Sequence, residues 1–102
     1  MAKPTESGNI GQTLECLTDT IHGRWTASPE TSYTSKLLNG HEDQLLKKIG
    51  EESCEVVMAA KDRDHDHLRY EAGDLVYHLL VVLERYGVGI DELADELNAR
   101  MK

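Results

Sequence analysis

Two pairs of acids at a spacing of three residues, Glu52 with Glu55 and Glu71 with Asp74, are the part of this chain best suited to chemistry. At a helical advance of about 100° per residue, an i, i+3 spacing stacks both carboxylates of a pair on one face, one turn apart. The segments that carry the pairs run together from Leu45 to Leu83, are both apolar-periodic, and are joined by a short charged loop. Folded as an antiparallel hairpin about Arg63, they set Glu55 across from Glu71 and Glu52 across from Asp74. Four converging carboxylates repel one another unless a cation lies among them, and all-oxygen ligation suits a hard divalent metal such as Mg²⁺. The same register puts His78 opposite Lys48, two groups suited to an anionic substrate, although a histidine bonded to Asp74 one turn away would fit the core equally well.

The elements that must position these acids read as helices, and no segment shows the alternation of a strand. Residues 1–9 hold Pro4, Ser7 and Gly8 with almost nothing apolar and are expected to be a disordered tail, leaving 10–102 as a single domain. Ile10, Leu14, Leu17 and Ile21 form one stripe of a first amphipathic helix ending near His22 and Gly23. The stretch Arg24 to His41 reads as a loop flanked by Trp25 and Tyr33. Its run Thr31 to Lys36 could hydrogen-bond a phosphate or supply turns and caps, and Asn39-Gly40 is a stop signal.

A second helix is expected from Glu42 to Ala60, burying Leu45, Leu46, Ile49, Ser53, Val56, Val57 and Ala60, with Glu52 at the edge of that stripe. An acid in such a place is costly unless paired or bound to a metal. Asp64 or Asp66 can cap the next helix, and His65 and His67 read as polar loop residues, since a hard oxygen site does not require imidazole. The third helix, Leu68 to Tyr86, is the most apolar and so the central one. Glu71, Asp74 and His78 interrupt it as a narrow polar stripe, and Gly73 implies close approach of a neighbouring backbone. Gly87 stops this helix, and Gly89 caps a last one carrying Ile90, Leu93, Leu97 and Met101. The expected fold is all-α, a bundle of about four helices around a central antiparallel hairpin.

At 102 residues the chain can bury only roughly 60–70% of its unfolded surface, which favours completion of the bundle by dimerisation. A net charge of −8 with a pI near 5.0 argues against a long nucleic acid, whose binding needs cations, but leaves room for a small anion that brings its own metal. Cys16 and Cys54 lack zinc or redox spacing and read as buried reduced thiols. No run approaches about 18 apolar residues and no signal-peptide pattern opens the chain, so a soluble cytoplasmic protein without membrane contact is expected.

The strings Ser32-Tyr33-Thr34-Ser35-Lys36-Leu37, Leu46-Lys47-Lys48-Ile49-Gly50-Glu51-Glu52 with Glu55-Val56-Val57, and Glu71 with Asp74-Leu75 and Tyr77-His78-Leu79-Leu80 resemble the phosphoribosyl-ATP pyrophosphatases of histidine biosynthesis, from about Ile10 to Met101. That family lies within the all-α nucleoside-triphosphate pyrophosphatases, whose ExxE and ExxD signature is matched by Glu52, Glu55, Glu71 and Asp74. Gly73 departs from the alanine or other small helix former expected there. The resemblance implies Mg²⁺-dependent hydrolysis of the α–β phosphoanhydride of phosphoribosyl-ATP to phosphoribosyl-AMP and pyrophosphate, the four acids holding metal, with Glu52 or Glu55 as base if one of them is not a ligand. It further implies phosphate and nucleotide contacts from Lys36, Lys47, Lys48, Tyr33, Thr34 and His78, and a phosphoribosyl-AMP cyclohydrolase as a candidate partner. Two other readings share the residues: a house-cleaning pyrophosphatase of ordinary or modified nucleotides, and a non-enzymatic helical module whose acids are solvated or bind calcium.

Overall fold

A computed structural model describes residues 8–102. The chain forms helices α1 (Ile10–Gly23), α2 (Tyr33–Asn39), α3 (Glu42–Lys61), α4 (His65–Arg85) and α5 (Ile90–Ala99), with a single 3₁₀ turn at Arg24–Thr26 and no strand among the described residues. The expected tail lies outside the described residues over 1–7, while Asn9 caps α1 by accepting from the Gln12 N–H at 3.0 Å. Among the described residues no helix is long and apolar enough to cross a membrane.

The hairpin of α3 and α4 is the frame, and α4 is its centre, packing against α1, α2 and α3. The turn falls at Asp62, Arg63 and Asp64. Arg63 adopts φ 57°, and the Asp64 N–H reaches back to the Ala59 carbonyl, closing α3 as a left-handed residue after a helix usually does. Asp64 then starts α4 by accepting from the His67 N–H at 3.1 Å. The helix thus begins at His65, three residues before the apolar pattern does, and His65 and His67 belong to its first turn rather than to a loop. At the far end Gly87, with φ 77°, turns the chain out of α4, and the Gly89 N–H donates to the Glu92 carboxylate at 2.8 Å to start α5.

Ile21, Leu37, Leu38, Leu45, Leu80 and Val81 make the core, with Leu14, Leu17, Trp25, Tyr77 and Ile90 packed around it. Two of these come from α2, a helix in the stretch expected to be a loop. At seven residues it is too short to print a periodic pattern, and tertiary contacts hold it: the buried Ser35 hydroxyl donates to the Ala27 carbonyl at 2.6 Å, Arg85 donates to the Leu37 carbonyl at 2.8 Å, and Asn39 donates to the Trp25 carbonyl at 3.2 Å. Glu84 fastens the preceding turn from α4, accepting from Trp25 Nε1 and His22 Nδ1, each at 2.8 Å. Gly40 ends α2 where the chain nearly touches itself, since a Cβ there would lie 2.7 Å from the Lys36 carbonyl oxygen.

Four expectations about burial and packing need correction. Of the stripe assigned to α3, Leu45 is buried, but Leu46, Val57 and Ala60 are exposed, because α4 packs beside the stripe, on the side that carries Glu52 and Ala59. Val76 and Leu79 of α4 are likewise 40% exposed. Cys54 is exposed on the far side of α3, and Cys16 is half-buried. No heavy atom would meet a Cβ at Gly73 within 4 Å, so its backbone is open to solvent and not in close approach.

Candidate active site

The antiparallel register of α3 and α4 brings the acids together. Carboxylate oxygens of Glu52, Glu71 and Asp74 lie within 4.8 Å of one another, and so do those of Glu55 and Glu71 with a ring nitrogen of His67. Glu71 belongs to both groups and is their junction. Its residue is 6% exposed, whereas Glu55 is exposed and Glu52 and Asp74 are half-buried. A side chain one turn away on α4 explains the second group, His67 Nε2 standing 3.9 Å from the Glu71 carboxylate. This histidine, set aside in the sequence as a polar loop residue, was findable only by starting α4 a turn earlier, at the Asp64 cap.

Burial pushes the Glu71 carboxyl up from its ordinary range, and the charges of Glu55 and then Glu52 push it further, against a smaller downward pull from His67. A buried carboxylate facing two more has one inexpensive resolution besides protonation, which is a bound cation. The donor set fits a hard divalent ion: four carboxylates, all oxygen, on two rigid helices. His67 stands at the outer margin, 44% exposed in its side chain.

A second layer joins this cluster to α2. His78 is buried, and its Nδ1 contacts the Asp74 carbonyl at 2.8 Å while Nε2 contacts the Tyr33 hydroxyl at 3.0 Å. A carbonyl only accepts, so Nδ1–H is the donor and Nε2 accepts from Tyr33, which fixes the tautomer. The partner on Asp74 is thus its backbone, leaving that carboxylate to the acid cluster. Tyr33, Tyr77 and His78 group their rings, with centroids 4.9 to 6.4 Å apart, and Thr34 shares a hydrogen bond with the Tyr77 hydroxyl. Burial, then the Tyr77 hydroxyl, then the charges of Glu52 and Asp74 raise the Tyr33 phenol, which puts it within the field of the acids.

The cations expected at the site are less gathered. Lys48 is half-buried and reaches Glu51 at 4.0 Å, while Lys36 and Lys47 are exposed. Tyr33, Thr34 and His78 stand together, from α2 and α4.

An all-helical chain whose hairpin closes two i, i+3 acid pairs on one another has the frame of an all-α hydrolase. Residues 14–101 match the family described as Phosphoribosyl-ATP pyrophosphohydrolase. Proteins named phosphoribosyl-ATP pyrophosphatase from Nitrosomonas eutropha and Dechloromonas aromatica are each 44% identical over 87 residues, which is 85% of this chain and 74% and 81% of theirs. A histidine biosynthesis bifunctional protein of Bacillus subtilis is 46% identical over 80 residues, 78% of this chain but 38% of that longer protein. The chain belongs to the phosphoribosyl-ATP pyrophosphohydrolase family.

Proposed function

We propose that this protein hydrolyses the α–β phosphoanhydride of phosphoribosyl-ATP, releasing phosphoribosyl-AMP and pyrophosphate, with Mg²⁺ held by Glu52, Glu55, Glu71 and Asp74. The observation that carries the reading is Glu71, a buried carboxylate shared by two acid clusters, on a chain whose family and relatives are named for this substrate. Mg²⁺ bound there would neutralise phosphate oxygens and lower the pKa of a coordinated water. Water attacks the α-phosphorus, the bond to the bridging oxygen breaks, and pyrophosphate leaves. The released proton passes to a carboxylate at the rim, Glu52 or Glu55, the latter being the more open to solvent.

Lys36, Lys47 and Lys48 act as point charges for the polyphosphate, free to swing because two of them are exposed and the third holds only a 4.0 Å pair. Tyr33, Thr34 and His78 form the wall toward the nucleoside, their hydrogen bonds to one another and to Tyr77 keeping that wall rigid. The working unit is a homodimer. Leu46, Val57, Val76 and Leu79 leave apolar surface on the outer side of the hairpin, and the radius of gyration, 14.5 Å, exceeds the ~13 Å of a compact chain this long. Association with a phosphoribosyl-AMP cyclohydrolase is supported by the bifunctional relative, much longer than this chain.

The test is hydrolysis of phosphoribosyl-ATP, ATP and deoxynucleoside triphosphates with saturating Mg²⁺, with products followed by ³¹P NMR. Pyrophosphate from phosphoribosyl-ATP at the highest kcat/KM is expected. Preference for a plain triphosphate, or release of orthophosphate, would refute the assignment in favour of another phosphohydrolase.

A further inference from the structure

A polar cavity adjoins the ring group of Tyr33, Tyr77 and His78, sharing Tyr33 with it. It is a cleft of about 460 Å³ lined by Arg24, Ala27, Thr31, Ser32, Tyr33 and Thr34. Its wall contains no carboxylate, although the chain carries 19 acids against 11 Lys and Arg. Arg24 is half-buried there, and its guanidinium has neither an ion pair nor a hydrogen bond among the described residues. The other half-buried cations are engaged, Lys48 with Glu51 and Arg85 with the Leu37 carbonyl. In so acidic a chain, a half-sequestered arginine with no carboxylate beside it is suited to an anion from outside.

The hydroxyls of the wall point to the same ligand. Ser32 Oγ accepts from the Ser35 N–H at 3.1 Å, which leaves its own hydrogen unspent. Thr34 and Tyr77 share one hydrogen bond, so of their two hydroxyl hydrogens one remains free. Arg24 and Thr34 line the same cleft, and burial raises the Tyr77 phenol against the downward pull of its Thr34 bond and of the Arg24 charge. The cleft therefore offers a five-donor fork and the Ser32 O–H, joined by the Thr34 O–H when Tyr77 is the donor of their shared bond, and asks for a ligand that only accepts. A phosphate monoester is such a ligand, and the fork of an arginine matches its oxygens two at a time.

From these observations we infer that the Arg24 cleft is a phosphate-monoester subsite that binds the 5′-phosphate of the substrate's second ribose and selects phosphoribosyl-ATP over plain ATP. The inference rests on the proposed substrate and adds what recognises its far end. The triphosphate lies at the acids, the nucleoside passes the aromatic wall, and the sugar phosphate, the one feature ATP lacks, reaches Arg24. Arg24 is here a specificity residue and takes no part in breaking the anhydride.

The experiment compares wild type with Arg24→Gln, Arg24→Lys and Ala27→Asp, the last placing an acid in the same cleft without removing the arginine. Arg24→Gln should lower kcat/KM on phosphoribosyl-ATP by about tenfold to a hundredfold, through KM, the loss expected for one charge-assisted bond, with ATP hydrolysis changed less than about twofold. Arg24→Lys should recover part of the loss and Ala27→Asp should reproduce it. Metal-free wild type should broaden the ³¹P signal of ribose 5-phosphate and Arg24→Gln should not, with circular dichroism checking that each variant is folded. Equal losses on both substrates, no loss on either, or undiminished ribose 5-phosphate binding in both Arg24→Gln and Ala27→Asp would overturn the subsite. If wild type fails on phosphoribosyl-ATP altogether, the proposed function falls, and the ribose 5-phosphate titration alone still decides the cleft. Should Arg24→Gln not fold, Ala27→Asp carries the comparison.

Discussion

Glu71 is the junction of two acid clusters, so its removal should separate metal binding from folding. Metal-free, its carboxyl is raised by burial and by Glu55 and Glu52, so the folded protein holds that proton above the ordinary value of 4.5. Stability of the metal-free protein therefore falls as pH rises from there through the raised value, and the full penalty stands above it. A divalent ion that binds only the folded state reverses this, adding about 2.7 kcal/mol at a hundred times its Kd. For a domain of this size each kcal/mol moves Tm by about 4–8 °C, so saturating Mg²⁺ or Mn²⁺ should raise Tm by about 10–20 °C. Glu71→Gln breaks both clusters at once and should abolish the shift, while its metal-free form melts higher than metal-free wild type at pH 7. Glu55→Gln breaks only the group shared with His67 and should leave part of the shift. Glu51→Gln, an exposed neighbour outside both clusters, should leave all of it. Calorimetry with and without metal reads all four proteins. A wild-type Tm insensitive to metal, or a Glu71→Gln protein that responds as wild type does, would refute the assignment of the acids to a cation.

Leu45→Ala removes a fully buried side chain from the core and should destabilise the protein by about 2–5 kcal/mol in urea titration, against about 0.5 or less for Lys102→Ala at the exposed terminus. Gly40→Ala forces a Cβ against the Lys36 carbonyl, part of the backbone and unable to swing away, and should cost about 1–3 kcal/mol by the same measurement. His22 is held above its ordinary 6.5 first by its hydrogen bond to Glu84 and then by that carboxylate's charge. The stabilisation it adds is complete below 6.5 and is lost as pH rises through the raised value. His22→Gln should flatten this part of the stability profile while Trp25 keeps its own bond to Glu84.

The acid cluster was legible because its geometry is local. Two i, i+3 pairs and one short turn determine which carboxylates meet, and the fold about Arg63 set Glu55 by Glu71 and Glu52 by Asp74 without reference to the rest of the chain. Gly87 and Gly89 bound the turn from α4 to α5 as their residue types predict, whereas the Asn9 cap of α1 lies in a stretch whose composition reads as tail. The apolar pattern starts α4 three residues late and so leaves His67 outside it, since such a pattern marks where a helix starts to bury side chains and says nothing about where its hydrogen bonds begin.

Elsewhere the misses share one cause. Apolar periodicity reports that a face must be covered but not by what. The stripe on α3 predicts burial within one chain, whereas α4 lies beside it and Leu46 and Val57 stay exposed. Gly73 implies a contact for the same reason, on a face that one chain leaves open. The converse holds for α2, which carries no usable period in seven residues and yet buries Ser35, Leu37 and Leu38, because its neighbours supply the hydrogen bonds and the core that a longer helix would advertise in its own sequence. Those long-range contacts are also what set Tyr33 against His78 and Thr34 against Tyr77. The meeting of four acids on one hairpin is thus readable from spacing, while the wall of Tyr33, Thr34, Tyr77 and His78, assembled from segments more than 40 residues apart, exists only because α2 docks on α4.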